Sequence, residues 1–336
     1  MGFEESILFK FLNGEDPGEI PVIATGTGLA ARIAGRSAAS LRDNGAALAE
    51  VMSMFQKEAK LDWTIVYTDA LAIPETLGVE VELSPISGAI GKPMKIPDDP
   101  VLSPKPLRSS PATRATLEAV EILSKKKTTC PIAVTFEGPL TTSINTFDAN
   151  DLIMAIYRRP LVVKSIISQM TDILCSFAEE IRRAGASVFY IPDPFSSMDT
   201  LSPKHYKEFA GPYVSNLISH IHDLGAKAIL HICGQTDQIW DYMAETGADT
   251  LSLDQIMSLQ KAREHFGPEV RLAGNVDPIR TLWEGSVEEV RDETMSCIED
   301  AGPRSLIIMP GCAVPTQTDI KNLRAMSETA KGYSYS

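Results

Sequence analysis

Apolar residues fall into two alternating patterns along the chain. Short unbroken runs lie at 20–24, 63–67, 132–136, 187–191, 226–230, 250–253, 270–273 and 306–309, most of them meeting a glycine, proline or carboxylate at their C-terminal end. Runs of that length without polar alternation read as strands buried on both faces, the habit of a parallel sheet. Between them the spacing turns helical. From Pro160 to Ala184, Val163, Ile166, Ile167, Met170, Ile173, Leu174, Phe177 and Ile181 line one face, and Gly185 stops the helix. Further helices are predicted near 3–12, 38–60, from Ser110-Pro111, 202–224, 236–246, from Ser286 and over 317–331. Ser286 and Glu289 are spaced as a capping box. Eight strands alternating with helices predict a (β/α)8 TIM barrel of the α/β class, with an open doubly wound sheet as the alternative. Prolines at 85, 93, 97, 100, 104, 106 and 111 exclude helix or interior strand over 85–111. That stretch reads as an insertion laid over one face of a single domain spanning 1–336.

The polar residues at the ends of these runs carry the chemistry. His231 and Cys233 sit two apart at a strand end, so their side chains share a face about 7 Å apart along the chain. Cys312 follows Gly311 just beyond the last apolar run. One imidazole and two thiols make a three-ligand site for a thiophilic ion, zinc by preference. Three protein ligands leave one position open, the mark of a catalytic site. Glu137, Asp193, Asp254 and Asp277 also fall at strand ends and are expected to ring the mouth. Asp254 and Glu137 are the candidates to orient His231 or to complete the coordination. Gly26-Thr27-Gly28-Leu29-Ala30-Ala31 fits a dinucleotide fingerprint, but Gly35-Arg36 interrupts the helix it needs, and no second strand supplies the acidic residue at the right distance. His220 and His222, two apart on a helix, diverge too far to share a metal.

Composition narrows the function classes. The 336 residues carry 44% hydrophobic and 22% charged positions, those of an ordinary globular chain. A net charge of −13 argues against nucleic acid and against anionic membrane surfaces. Neither an 18-residue apolar span nor a signal-peptide layout is expected from the pattern, which predicts a cytoplasmic location. Five cysteines in a reducing compartment point to a metal or catalytic site rather than a disulfide framework, with Cys130, Cys175 and Cys297 as packed thiols.

The blocks His231-Ile232-Cys233-Gly234, Gly274-Asn275-Val276-Asp277-Pro278 and Pro310-Gly311-Cys312 are similar to those of the methylcobamide:coenzyme M methyltransferases, a branch of the uroporphyrinogen decarboxylase superfamily. Thr25-Gly26-Thr27, Glu137-Gly138-Pro139 and Tyr190-Ile191-Pro192-Asp193-Pro194 extend the resemblance over nearly the whole chain. It implies a (β/α)8 barrel with zinc held by His231, Cys233 and Cys312. It also implies methyl transfer between a methylcorrinoid protein and a thiol like coenzyme M or another acceptor. Glu137, Asp193 and Asp254 are then the catalytic candidates, and Asn275 and Asp277 the cofactor-binding ones. The chain lacks a D-x-H-x-x-G corrinoid motif, so the corrinoid is expected on a partner protein. Transfer from a methylated donor to Co(I) and tetrapyrrole decarboxylation are the alternatives. The arginine-rich N-terminal segment of true decarboxylases is replaced here by Ala24-Thr25-Gly26-Thr27-Gly28.

Overall fold

A computed structural model describes residues 3–84, 88–126 and 129–335. Nine strands are formed among them: β1 (Thr64–Tyr67), β2 (Glu80–Ser84), β3 (Gly88–Lys92), β4 (Ile132–Thr135), β5 (Val188–Pro192), β6 (Lys227–Ile232), β7 (Thr250–Leu253), β8 (Leu272–Val276) and β9 (Leu306–Pro310). Seven of them make one parallel sheet in the order β1-β4-β5-β6-β7-β8-β9, while β2 and β3 pair separately as an antiparallel hairpin. The sheet curls and closes into a (β/α)8 barrel. Its eighth position is taken by residues 20–24, expected as a full strand but reduced to a single bridge, Val22 to Ile308. Proline 21 has no amide to donate to a ladder. Closure instead runs through Ile308 N to Pro21 O, Ile23 N to Ile308 O, and Asp62 N to Val22 O. The Val22 amide is met by the buried Asp62 carboxylate at 2.7 Å, whose other oxygen takes Lys331 Nζ at 2.8 Å.

Strands β4 and β7 to β9 are buried along their whole length, as their uninterrupted apolar runs require. Within the barrel Trp63 meets Tyr190 edge-on at 5.8 Å, and Phe136 meets Phe177 and Phe189. The helix over Pro160–Ala184 forms over the range expected, with Val163, Ile166, Ile167, Met170 and Phe177 among its buried residues. It corrects one expectation: this helix is long and apolar enough to cross a membrane, and half of its apolar window is packed inside the fold.

The proline-rich stretch differs from its expectation at its start. A hairpin strand, Gly88–Lys92, lies inside it, and residues 85–87 are outside the described set. The remainder is a strap down the side of the barrel. Met94 N donates to Thr146 O at 2.9 Å, Arg159 reaches Pro97 O at 2.7 Å, and Gln169 brackets Pro100 O and Leu102 N at 2.9 Å each. A helical pair, Pro139–Thr146 and Ala149–Arg158, was not anticipated from the pattern and caps the β4 side of the mouth.

Candidate metal centre

His231 lies in the last turn of pleat of β6, with Pro192 of β5 and Ser252 of β7 as its register partners. The register sets its surroundings. Ser252 Oγ lies 3.0 Å from His231 Nδ1, and the Tyr190 ring stacks on the imidazole at 5.8 Å. Because Nδ1 is engaged by Ser252, Nε2 is the nitrogen turned to the thiols, 3.0 Å from Cys233 Sγ. Cys233 follows directly on β6, and Cys312 lies two residues beyond β9. Their sulfurs stand 3.7 Å apart, and the ligand atoms of all three side chains lie within 4.8 Å of one another. Two thiolates on a tetrahedral zinc at about 2.3 Å are separated by roughly 3.8 Å, so the sulfur pair already has the spacing of a ligand pair. The imidazole is 2% exposed and the thiols are half-buried, so the cluster opens on the sulfur side.

The sulfurs do not behave alike. Hydrogen bonding from Cys233 holds the Cys312 thiol well below its ordinary range; burial opposes this and His231 reinforces it. The same bond, with burial, pushes Cys233 up. One proton shared between two sulfurs is the physical content. Burial also raises the Tyr190 phenol, although a bond to Ser252 opposes it. Glu137, at the end of β4, is pushed up to about 8 by burial and then by the charges of Asp193 and Asp69, with an Asn145 hydrogen bond opposing.

The donor set, spacing and burial are those of side chains that could hold a thiophilic metal ion at the C-terminal mouth of a barrel. Residues 4–333 match the uroporphyrinogen decarboxylase (URO-D) family profile. The chain belongs to this family. A solved methyltransferase from Methanosarcina mazei shares its fold, with a TM-score of 0.90 over 98% of both chains at 23% identity. A methylcobamide:CoM methyltransferase, MtbA, of Methanosarcina acetivorans is 28% identical over 220 residues, which are 65% of this chain and 63% of that protein. The match therefore spans less than two thirds of that relative's length. A uroporphyrinogen decarboxylase of Microcystis aeruginosa is 29% identical over 182 residues, 53% of this chain and 50% of that protein.

Within this URO-D family barrel the three expected ligands converge, and the expected carboxylates take different places. Asp193 is fully buried: Thr141 donates to its Oδ1 from both amide and hydroxyl, at 3.0 and 2.5 Å, and Ser196 to its Oδ2 at 2.7 Å. Burial raises its carboxyl despite those bonds. It ties the β4 and β5 loops together. Asp254 does not reach His231 in the way expected; Ser252 orients the ring, and Asp254 Oδ2 accepts the Gly234 amide at 2.8 Å. The positions expected to bind cofactor are spent on scaffolding. Asn275 Nδ2 donates to Asp254 O at 3.0 Å and Met257 O at 2.6 Å, and Asp277 Oδ1 accepts the Ile279 and Arg280 amides.

Sequence reasoning missed Ser252, whose role depends on cross-strand register, and Arg42. The buried Arg42 side chain pairs with Asp69 Oδ1 at 3.5 Å and Glu75 Oε2 at 2.9 Å. It lines a cavity of about 280 Å³ with Thr27, Tyr67, Asp69 and Leu71, at the end of β1 and separate from the thiols. Asp69 at the end of an apolar run was the available signal.

Proposed function

We propose that this chain is a zinc-dependent methyltransferase that moves a methyl group between a methylcorrinoid on a partner protein and a thiol such as coenzyme M. The observation that carries the reading is the convergence of His231 Nε2, Cys233 Sγ and Cys312 Sγ within 4.8 Å, with sulfurs at ligand spacing. The methylcobamide:CoM methyltransferase activity of the Methanosarcina acetivorans relative supports it. His231, Cys233 and Cys312 would hold the zinc, which when bound would supply the charge to keep a substrate thiol ionised at neutral pH, where a free thiol with pKa about 8.5 is only a few per cent thiolate. Complete ionisation contributes roughly 2 kcal/mol. Alignment of sulfur with the methyl carbon contributes more, up to about 7–11 kcal/mol for well-oriented reactants.

The protein's own groups divide the remaining work. Ser252 holds His231 with Nε2 facing the sulfurs. Glu137, whose proton is held to about pH 8, is the acid–base group we assign to the thiol proton, and its charge bears on Cys233. Asp193 fixes the two loops beneath Glu137. We assign all of this to one barrel unit, with the strap serving to brace its side.

Transfer from a methylated donor to Co(I) would use the same cluster. Decarboxylation of a polycarboxylate fits less well, because each arginine near the N-terminal loop is occupied. Arg32 donates to Thr316 O and Thr318 O, Arg36 faces Glu50, and Arg42 faces Asp69 and Glu75.

Metal analysis with a thiol-panel assay of methylcobalamin demethylation tests the proposal. About one zinc per chain is expected, lost together with at least 100-fold of the transfer rate in Cys312→Ala. Full activity in chelated, metal-free protein overturns it.

A further inference from the structure

The loop after β7 is wedged between the two cysteine turns. On one side Asp254 Oδ2 accepts the Gly234 amide at 2.8 Å, next to Cys233. On the other, Gly311 packs against Gln255 so closely that a Cβ on it would meet the Gln255 amide nitrogen at 2.3 Å and its Cα at 2.7 Å. The wedge is pinned from β8 by Asn275, whose amide nitrogen donates to both Asp254 O and Met257 O. The Cys297 thiol in turn donates toward Asn275 Oδ1 at 3.7 Å. A second carboxylate grips the Cys233 turn from the β5 side: Asp199 Oδ2 accepts the Gln235 amide at 3.2 Å, and Met198 N donates to Gln235 O at 2.9 Å. Gly234, at φ +75°, leaves room for this grip, since a Cβ there would fall 1.9 Å from Asp199 Oδ2.

Neither cysteine lies within a strand, so the ladder does not fix the distance between the sulfurs. Thiolate ligands need that distance held to within about 0.5 Å. The parts that touch both turns are Asp254 and Gln255, and what fixes those two is Asn275. We propose that Asp254 and Asn275 are positioning residues that set the spacing of the Cys233 and Cys312 sulfurs for metal binding, with Asp199 closing the grip on the Cys233 turn. This inference rests on the reading of the triad as a metal site, and deepens it by naming what holds the ligands in place.

Cobalt(II) titration of the full-length, metal-stripped protein tests it, read by affinity and by the thiolate-to-cobalt charge-transfer bands. Wild type is expected to show a tetrahedral spectrum with two thiolates. Asp254→Ala and Asn275→Ala should each weaken Co2+ about 10–100-fold, the usual effect of removing a group that orients ligands, and lower the charge-transfer intensity per bound ion. Asp199→Ala gives the same direction, a few-fold, and keeps the test alive should Asp254→Ala fail to fold. Ser286→Ala, which loosens a helix cap away from the cluster, is the destabilised control and should keep the wild-type spectrum and affinity. Wild-type affinity and spectrum in both Asp254→Ala and Asn275→Ala overturn the positioning role. Absence of Co2+ and Zn2+ binding by wild type overturns instead the metal reading beneath it.

Discussion

Glu137 shows how a single residue ties stability to pH. In the fold it keeps its proton to about pH 8, whereas the ordinary value for the group is 4.5. Between those limits the unfolded chain binds fewer protons than the native one, so stability falls as pH rises through the window; the penalty is absent below about 4.5 and complete above about 8. Glu137→Gln, which mimics the protonated form, is expected to flatten this slope and to be more favourable at pH 9 than at pH 5 relative to the native residue, each pKa unit of the shift being worth roughly 1.4 kcal/mol. Urea unfolding from pH 5 to pH 9 measures it. Ser252→Ala removes the partner of His231 Nδ1, and about tenfold weaker zinc binding by chelator competition is expected. At this scale the candidate ligands were legible and the groups that support them were not. The positions of His231, Cys233 and Cys312 follow from strand periodicity and strand ends, which are local. Ser252 faces His231 because β6 and β7 pair in a particular register, and a carboxylate looks the same in sequence whether it meets substrate, as expected of Asp193, or one backbone amide and two hydroxyls, as found.

Elements with local signals formed where the pattern placed them. The Ser286 capping box is present, with Ser286 Oγ accepting from Glu289 N at 3.2 Å and Glu289 Oε2 accepting from Ser286 N at 2.7 Å. Ser286→Ala is expected to cost about 1 kcal/mol, read as a lower urea midpoint with unchanged slope. Pro160–Ala184 was equally plain, because ten buried residues keep one stripe and Gly185 ends it. Helix 202–224 instead divides at Ala210 into Pro203–Phe209 and Gly211–Asp223, Pro212 favouring a fresh start. The β2–β3 hairpin escaped notice because both strands are half polar, with β2 bordering the proline-rich stretch and β3 inside it, so their pairing carries no core pattern.

At the scale of the whole molecule, alternation of strands and helices left a barrel or an open doubly wound sheet, and the polar residues gathered at strand C-terminal ends favoured the barrel. How the ring closes was hidden, because it depends on one carboxylate far from the strand it serves. Burial raises the Asp62 carboxyl, with Lys331 and the Val22 amide opposing. Asp62→Ala would strip the buried Val22 amide of its acceptor and leave Lys331 without its partner. A loss of about 2–4 kcal/mol is expected, measured by urea unfolding. The closure also has a kinetic reading. Where seven neighbours share ladders, the first is fastened by a handful of bonds, so breathing of the cylinder should begin there. Hydrogen exchange at Ile23 and Ile308 would then outpace that at Tyr190 and Leu230. The protein is thus a ring with a clasp, half-way round from His231 on β6 but directly beside β9, which leads into Cys312, so that play at the clasp would reach one end of the candidate cluster first.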